Sequence, residues 1–504
     1  MKRFSLSLLA SSILSAPLFA APAHADFSLT VLHINDVHSR IESINRFDST
    51  CDAEGEAEGK CFGGIARVKT AIDARRAALE GDGKAVLTLD AGDQFQGSLF
   101  YSTYKGTAAA EFMNAIGFDA MAVGNHEFDD GPEKLAEFLD KVEFPVISGN
   151  IDVSTDNLLA SRVPGYVIVE TGGERVAVIS VLATDTAETS SPGPTISFED
   201  EVTYLQRVVP EIEAEGVNKI IALTHVGLPV DMRIAAEVSG IDLVVGGHSH
   251  TLLSNSHDGA LGPYPVMVTN PDGVDVPIVQ AYAYSKYVGE IEVTFDDAGV
   301  VTAASGDTIL LDASVTPDAG ILTRVAELGG PIEELKQTVV AETAEAIDGD
   351  RQSCRLGECQ MGNLVADAML DRVREQGIQI AIQNGGGLRA SIDAGQITMG
   401  EVLTVLPFQN ALATFQLKGS DVIAALENGV SQVEEVKGRF PQVSGLKYTW
   451  DRSVAPGEGR ISDVMVMEGD AFVPIDPDKV YGVVTNDYMR TGGDGYSVFA
   501  ENGI

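Results

Sequence analysis

From Asp26 to about residue 310, short apolar runs alternate with longer stretches in which apolar residues recur every three or four positions. The runs Leu29–Ile34, Ala85–Leu89, Ala120–Val123, Pro145–Ile147, Val176–Val181, Ile220–Leu223 and Leu243–Val245 predict strands. Between the first two, Ile65, Val68, Ile72 and Leu79 share one helical face, which predicts a helix over Gly64 to Leu79. Three later runs, Pro265–Val268, Ile278–Ala281 and Ile291–Phe295, lie close together and predict antiparallel strands. The alternation implies an α/β domain of layered sheets with helices outside.

A charged amphipathic stretch from Pro317 through Leu335 to Val340 predicts a helix that connects this domain to the next. Beyond it the pattern starts afresh. Helix Gly362–Glu375, strand Ile378–Ile382, a turn at Asn384-Gly385-Gly386-Gly387, strand Leu412–Leu417, helix Ser420–Asn428 and strand Val480–Val484 follow in order. A chain of 504 residues exceeds what one hydrophobic core normally supports. The boundaries expected are 1–25, 26–316, a linker helix over 317–340, and 341–504.

Residues 1–25 stand apart. Lys2 and Arg3 precede an apolar run from Leu6 to Ala20, and Ala23-His24-Ala25 forms a small-residue cleavage site, which predicts a secretory signal peptide. Pro17 and Pro22 interrupt the run, so a membrane-spanning helix is the poorer reading. The protein is expected to be periplasmic or secreted, with no membrane anchor. Its formal charge of −40 repels nucleic acid and anionic membranes. An anionic substrate would therefore need a locally positive site. The four cysteines, Cys51, Cys61, Cys354 and Cys359, fall into two sequence-local pairs. In an exported chain these predict two disulfides; a zinc site at Cys354 and Cys359 would lack a second pair of ligands nearby.

The polar residues that follow the strands carry the chemistry. Asp36-Val37-His38, Gly92-Asp93-Gln94, Gly124-Asn125-His126-Glu127 and Gly247-His248-Ser249-His250 each follow a predicted strand, with Thr224-His225 between the last two. Each tetrapeptide alone recurs by chance, whereas the four in this order form the pattern of two-metal phosphoesterases. Carboxylate, amide and imidazole donors suit zinc, with manganese or cobalt as alternatives. The expected ligands are Asp36, His38, Asp93 and His250 for one ion, and Asp93, Asn125, His225 and His248 for the other. Asp93 would bridge. His126 is expected to act on the phosphoryl group or protonate the leaving alkoxide, oriented by Asp129. His33 and His257 have no such motif around them and are expected to be structural.

With these motifs in place, the chain resembles the 5'-nucleotidase family, which includes ecto-5'-nucleotidase and bacterial UDP-sugar hydrolase. The likeness runs from Leu29 to the end. It is carried in the second half by Ser353-Cys354-Arg355, Cys359-Gln360-Met361-Gly362-Asn363, Asn384-Gly385-Gly386-Gly387-Leu388-Arg389, Leu406-Pro407-Phe408 and Gly492-Gly493-Asp494-Gly495. By that resemblance Arg355 and Arg389 bind substrate phosphate, Phe408 and Tyr488 enclose the nucleobase, Asn384 contacts the base and Asp494 the ribose hydroxyls. Arginine forks and aromatic faces suit those partners. Tyr488 departs from a common Phe and adds a hydroxyl.

The architecture expected is therefore a layered α/β (α+β) metallophosphoesterase domain with a β-sandwich, a linker helix and a C-terminal α/β nucleotide-binding domain. The function expected is hydrolysis of nucleoside 5'-monophosphates such as AMP, as a monomer or homodimer, with domain rotation to admit and release the nucleotide. Broader cleavage of UDP-sugars, nucleoside di- and triphosphates or 2',3'-cyclic nucleotides is the alternative within enzymes. A nucleotide-binding or adhesion protein with a silent site is the alternative outside them.

Overall fold

Strand Phe27–Ile34 alternates in both senses at once. Leu29 and Val31 pack into one apolar cluster while Leu32 and Ile34 pack into another. Successive side chains on a strand face opposite ways, so a strand apolar on both faces lies between two cores. The computed structural model, which describes residues 27–503 apart from Phe47, Ser49, Gln409 and Asp470, shows both cores. The predicted signal peptide lies outside the described residues.

The first six-stranded sheet runs, in spatial order, Val301–Leu310, Tyr287–Phe295, Phe27–Ile34, Ala85–Asp90, Ala120–Ala122 and Val146–Ile147. The second runs Val266–Thr269, Asp275–Val279, Leu243–Val245, Ile220–His225, Glu174–Leu182 and Tyr166–Thr171. Leu29, Val31, Leu87 and Leu89 from the first meet Val176, Val178, Ile221 and Leu223 from the second in one buried core. Helices cover the outer faces. Ile65–Gly81 and Gly106–Ile116 lie on the first sheet, and Glu201–Ala214 lies on the second. The arrangement is a β-sandwich between helical layers, in keeping with the predicted mixed α/β class.

Within each sheet the central strands are parallel. Phe27–Ile34 pairs in parallel with Ala85–Asp90, which pairs in parallel with Ala120–Ala122. Ile220–His225 likewise lies parallel to both Glu174–Leu182 and Leu243–Val245. Parallel strands bring their C-terminal loops to one edge, where α/β sheets gather ligands. All five predicted metal-binding segments leave those ends.

The three later runs are antiparallel strands as expected, Val266–Thr269 pairing with Asp275–Val279, and Tyr287–Phe295, in the other sheet, with Phe27–Ile34 and Val301–Leu310. Sequence proximity does not separate one sheet from the next. The helix expected over 317–340 is Ala319–Lys336, its start capped by Asp318 accepting from the Ile321 N–H. Its Ile321, Val325, Leu328 and Ile332 pack into the core under the first sheet. Val339–Thr343, the end of that expected helix and just beyond, is instead a strand paired with Gly395–Thr398.

In the second half a four-stranded sheet runs Leu412–Lys418, Val480–Asn486, Ile380–Asn384 and Pro441–Ser444, with helices Gln360–Val373 and Gly419–Gly429 beside it. A three-stranded sheet of Leu446–Trp450, Ile461–Glu468 and Ala471–Pro474 adjoins it. Both predicted disulfides form, Cys51–Cys61 and Cys354–Cys359. Among the described residues no helix is long and apolar enough to cross a membrane.

Candidate dimetal active site

Five segments deliver buried and half-buried donors to one point. Asp36 and His38 follow strand Phe27–Ile34, Asp93 follows Ala85–Asp90, Asn125 follows Ala120–Ala122, His225 ends Ile220–His225, and His248 and His250 follow Leu243–Val245. Asp36, His38 and His250 form one group of converging ligand atoms; Asp93, His225 and His248 form a second. His250 Nε2 lies 3.3 Å from Asp36 Oδ1 and 2.9 Å from His38 Nε2. In the second group His225 Nε2 lies 3.0 Å from Asp93 Oδ2, and His248 Nδ1 is 2.9 Å from Asn125 Oδ1. Asp93 Oδ2 is also 3.7 Å from His38 Nε2, so its carboxylate faces both groups as expected of a bridge.

His248 and His250 part toward different groups. Both lie beyond the strand in left-handed backbone, at φ 73° and 50°. Asp36, His38 and Asp93 share that conformation, at φ 51°, 48° and 58°. Five non-glycine residues held there in one site mark strain that the surrounding packing sustains. Glycines give the room. A Cβ on Gly124 would lie 2.2 Å from Asp93 Oδ1, and one on Gly247 would lie 2.9 Å from His225 Nδ1.

Hydrogen bonds fix each donor's free face. His225 Nδ1 is 2.6 Å from the Ala91 carbonyl, which leaves Nε2 turned to the site. That buried nitrogen has no well-aligned hydrogen-bond partner although Asp93 is close, as suits an atom shaped to share an ion. Asn35 donates to Asp36 Oδ2 at 2.6 Å, and the His248 N–H donates to Asp36 at 3.0 Å. Burial opposes ionisation of Asp93, but His225 and His126 outweigh it and hold its pKa well below the ordinary carboxylate value. Asp36 is shifted the same way, with burial opposed by His250 and His225. Anionic oxygens and imidazole nitrogens converging in a buried pocket fit two divalent cations.

His126 stands against both groups. Its Nδ1 lies 2.7 Å from Asp129 Oδ2 and its N–H donates to Asp93 Oδ1 at 2.9 Å. Asp129 is itself held, by Ser190 Oγ at 2.7 Å and by Gln96 Nε2 at 2.9 Å. His33, expected to be structural, is fully buried and bonded to the Tyr264 hydroxyl at 2.8 Å.

In the second half, Asn384 donates to Asp494 Oδ2 at 2.7 Å, and the Tyr488 hydroxyl donates to Asp494 Oδ1 at 3.2 Å. The hydroxyl that distinguishes Tyr488 from Phe therefore braces Asp494. Arg389 lies over the Phe408 ring at 5.3 Å. The Arg355 guanidinium pKa is lowered by burial and then by Arg351 and Arg389, so the three cations stand close together. Arg355 Nη1 donates to the Val436 carbonyl at 3.3 Å, while its buried Nε has no partner among the described residues. This patch is the local positive charge that the overall −40 lacks.

A cleft of about 300 Å³ runs between the two halves. Gln96, Gly97 and Ser98 line it from one side, and Gln383, Phe408 and Asn486 from the other.

Three residues escaped the sequence reading. Glu127 accepts from the backbone N–H groups of Gly124, Asp93, Gln94 and Phe95, at 2.6 to 3.1 Å, tying two metal-site loops together. It was in view as the fourth residue of the Gly-Asn-His-Glu motif. Asp487, directly before Tyr488, comes from the second half, yet its charge is felt by His250 and His126. Arg40, two residues after His38, bonds the Phe408 carbonyl across the cleft.

Comparison with known proteins agrees with this geometry. The family model described as calcineurin-like phosphoesterase matches residues 29–252, and that of the 5'-nucleotidase C-terminal domain matches 339–501. A 5'-nucleotidase of Bos taurus is 40% identical over 96% of this chain and 86% of its own length. The chain belongs to the 5'-nucleotidase family. A snake venom 5'-nucleotidase of Naja atra is 39% identical to this nucleotidase-family chain, over 93% of it and 91% of the venom protein. Among solved structures, a 5'-nucleotidase precursor from Thermus thermophilus shares 43% identity, with TM-score 0.65, over 95% of this chain and 93% of that one. The NAD nucleotidase of Haemophilus influenzae shares 28% identity with TM-score 0.76, over 95% and 92%. As a family member with a phosphoesterase domain, the chain is a metal-dependent phosphatase.

Proposed function

We propose that this protein is an exported 5'-nucleotidase that hydrolyses nucleoside 5'-monophosphates of the AMP type to nucleoside and phosphate. The reading rests on one observation above others: the donor cluster and the Asn384–Tyr488–Asp494 cluster belong to different halves of the chain, and the halves touch where Arg40, two residues after His38, bonds the Phe408 carbonyl. We divide the chain into a metal-bearing domain over 26–316, a connecting helix within 317–340 and a nucleotide-binding domain over 341–504. The two disulfides and the apolar stretch at residues 1–25 support export.

Asp36, His38, Asp93 and His250 would hold one divalent ion, and Asp93, Asn125, His225 and His248 the other. Such a pair, when bound, supplies an acidified water and positive charge for the phosphoryl oxygens. The chain's own residues do the rest. Arg355 and Arg389 draw the phosphate in and orient it. Phe408 and Tyr488 present apolar faces to the base, each worth about 1–3 kcal/mol when stacked. Asn384 contacts the base and Asp494 accepts from the ribose hydroxyls. Asp129 fixes the His126 ring through Nδ1, so that Nε2 carries a proton to the leaving alkoxide.

Phosphate release by residues 26–504 from AMP, ATP, UDP-glucose and a 2',3'-cyclic nucleotide tests the reading. Fastest turnover on AMP, lost with chelator, supports it. Faster turnover of UDP-glucose or ATP moves the assignment to a broader hydrolase, and no turnover with metals restored ends it.

A further inference from the structure

Arg40 lies in the metal-bearing half and is 5% exposed. Its Nη2 donates to the carbonyl of Phe408, 368 residues away, at 2.7 Å. Nε and Nη1 are buried and have no hydrogen-bond partner among the described residues. A guanidinium carries five N–H donors, and a buried arginine placed only to support its own domain satisfies most of them locally. Here the polar bond formed is to the other half of the molecule. The surroundings fix where the group points. Its Cζ lies 5.1 Å from the centre of the Tyr284 ring, and that centre is 5.7 and 5.2 Å from the ring centres of His38 and His250. A Cβ on Gly97, which lines the cleft, would be 3.2 Å from Arg40 Nη1. Arg40 thus spans the short path from the metal histidines, through Tyr284, to the main chain of Phe408.

We propose that Arg40 is a substrate-positioning residue, holding the Phe408 loop, and with it one face of the base-binding site, in register with the metal site. This rests on the nucleotidase reading above. A ring that stacks on the base is useful only if the phosphate at the other end of the nucleotide reaches the donor cluster, so the two halves must be held at one spacing. A single backbone carbonyl, gripped by one buried cation, sets that spacing while leaving the ring itself free. Because one hydrogen bond crosses at this point among the described residues, the contact also parts cleanly when the cleft opens.

The test compares AMP with ribose 5-phosphate, which has the phosphate and sugar but no base to stack. Arg40→Met should raise KM for AMP about tenfold, with kcat within about threefold, and raise KM for ribose 5-phosphate less than twofold. The fold-change corresponds to about 1.4 kcal/mol, the size of one hydrogen bond to a charged donor. Arg40→Lys keeps one donor within reach of the carbonyl and should bring KM for AMP back to within about threefold of the parent. An equal rise for both esters in Arg40→Met would overturn the proposal, since it would place Arg40 on the phosphate. A collapse of kcat with KM unchanged would overturn it too. If the methionine variant does not fold, judged by its melting temperature, Arg40→Lys decides with the same two esters: a rise common to both overturns the proposal, and a KM for AMP within threefold supports it. Failure of the parent protein to turn over AMP would instead sink the nucleotidase reading.

Discussion

His126 and Asp129 form a pair separated by one turn, with Nδ1 2.7 Å from Oδ2, and the pair is anchored from outside by Ser190 and Gln96. The spacing of three residues lets a single 3-10 turn, Asn125–Phe128, set both side chains on one side. Removing the imidazole should therefore remove chemistry and leave the fold. His126→Ala is expected to lower kcat on AMP by about 10²- to 10⁴-fold, the usual worth of a placed proton donor. Its melting temperature should stay within a few degrees of the parent. Asp129→Asn should lose less, since the ring remains but its orientation relaxes.

Removing the metals should affect both activity and stability. His38 and His250 turn two ring nitrogens toward each other at 2.9 Å, and His225 Nε2 is buried with no aligned partner, an arrangement that a bound cation would satisfy. Ions that bind the folded state alone stabilise it by mass action, about 2.7 kcal/mol at a hundredfold excess over Kd. Dialysis against chelator is expected to abolish phosphate release and lower the melting temperature. Elemental analysis of the active protein should return two ions per chain, and zinc, manganese or cobalt should restore both properties.

Glu127 tests the scaffold beneath the ligands. Its two oxygens accept from four backbone N–H groups of two loops. Glu127→Gln keeps the size but replaces one acceptor with a donor that faces other donors. Unfolding in denaturant should show a loss of about 2–3 kcal/mol, with metal affinity falling in parallel.

This residue also shows how far the sequence could be read. The strands that carry the metal-site loops are legible, because each run is short, apolar and followed by a polar motif. The approach of His248 and Asp36, or of Arg40 and Phe408, was not, because periodicity carries no information about which distant loops meet. In the second half the strands Pro441–Ser444 and Ala471–Pro474 went unread, being short and weakly apolar.

Tyr488→Phe isolates the hydroxyl that braces Asp494. The ring face survives, so stacking is kept, while two exposed hydrogen bonds are lost, one donated to the Asp494 carboxylate and one accepted from the Asp494 N–H. KM for AMP should rise about three- to tenfold, in line with 0.5–1.5 kcal/mol for such a bond. Isothermal titration with adenosine, which lacks the phosphate, should show the same ratio.

Far from the site, burial raises the pKa of Asp242 to about 8, opposed by the Ile220 N–H and by Lys219. An unfolded aspartate loses its proton near 3.9. Between these values the folded chain holds a proton that the unfolded chain has released, so stability falls as pH rises from about 4 to about 8. The slope from one group is at most about 1.4 kcal/mol per pH unit. Asp242→Asn keeps an acceptor for the Ile220 N–H and should flatten the curve over that range, as denaturant midpoints at successive pH values would show.

The pairing of the first strand sets the order of events during synthesis. Phe27 lies opposite Phe295, and Leu29 opposite Val293, so the middle of the first sheet waits for a partner made near the end of its domain. His38 and His250, separated by 212 residues, cannot meet sooner. Long loops must close before such contacts give anything back, which slows them relative to local structure. A nascent chain therefore carries these donors scattered, and they converge only once the domain is whole.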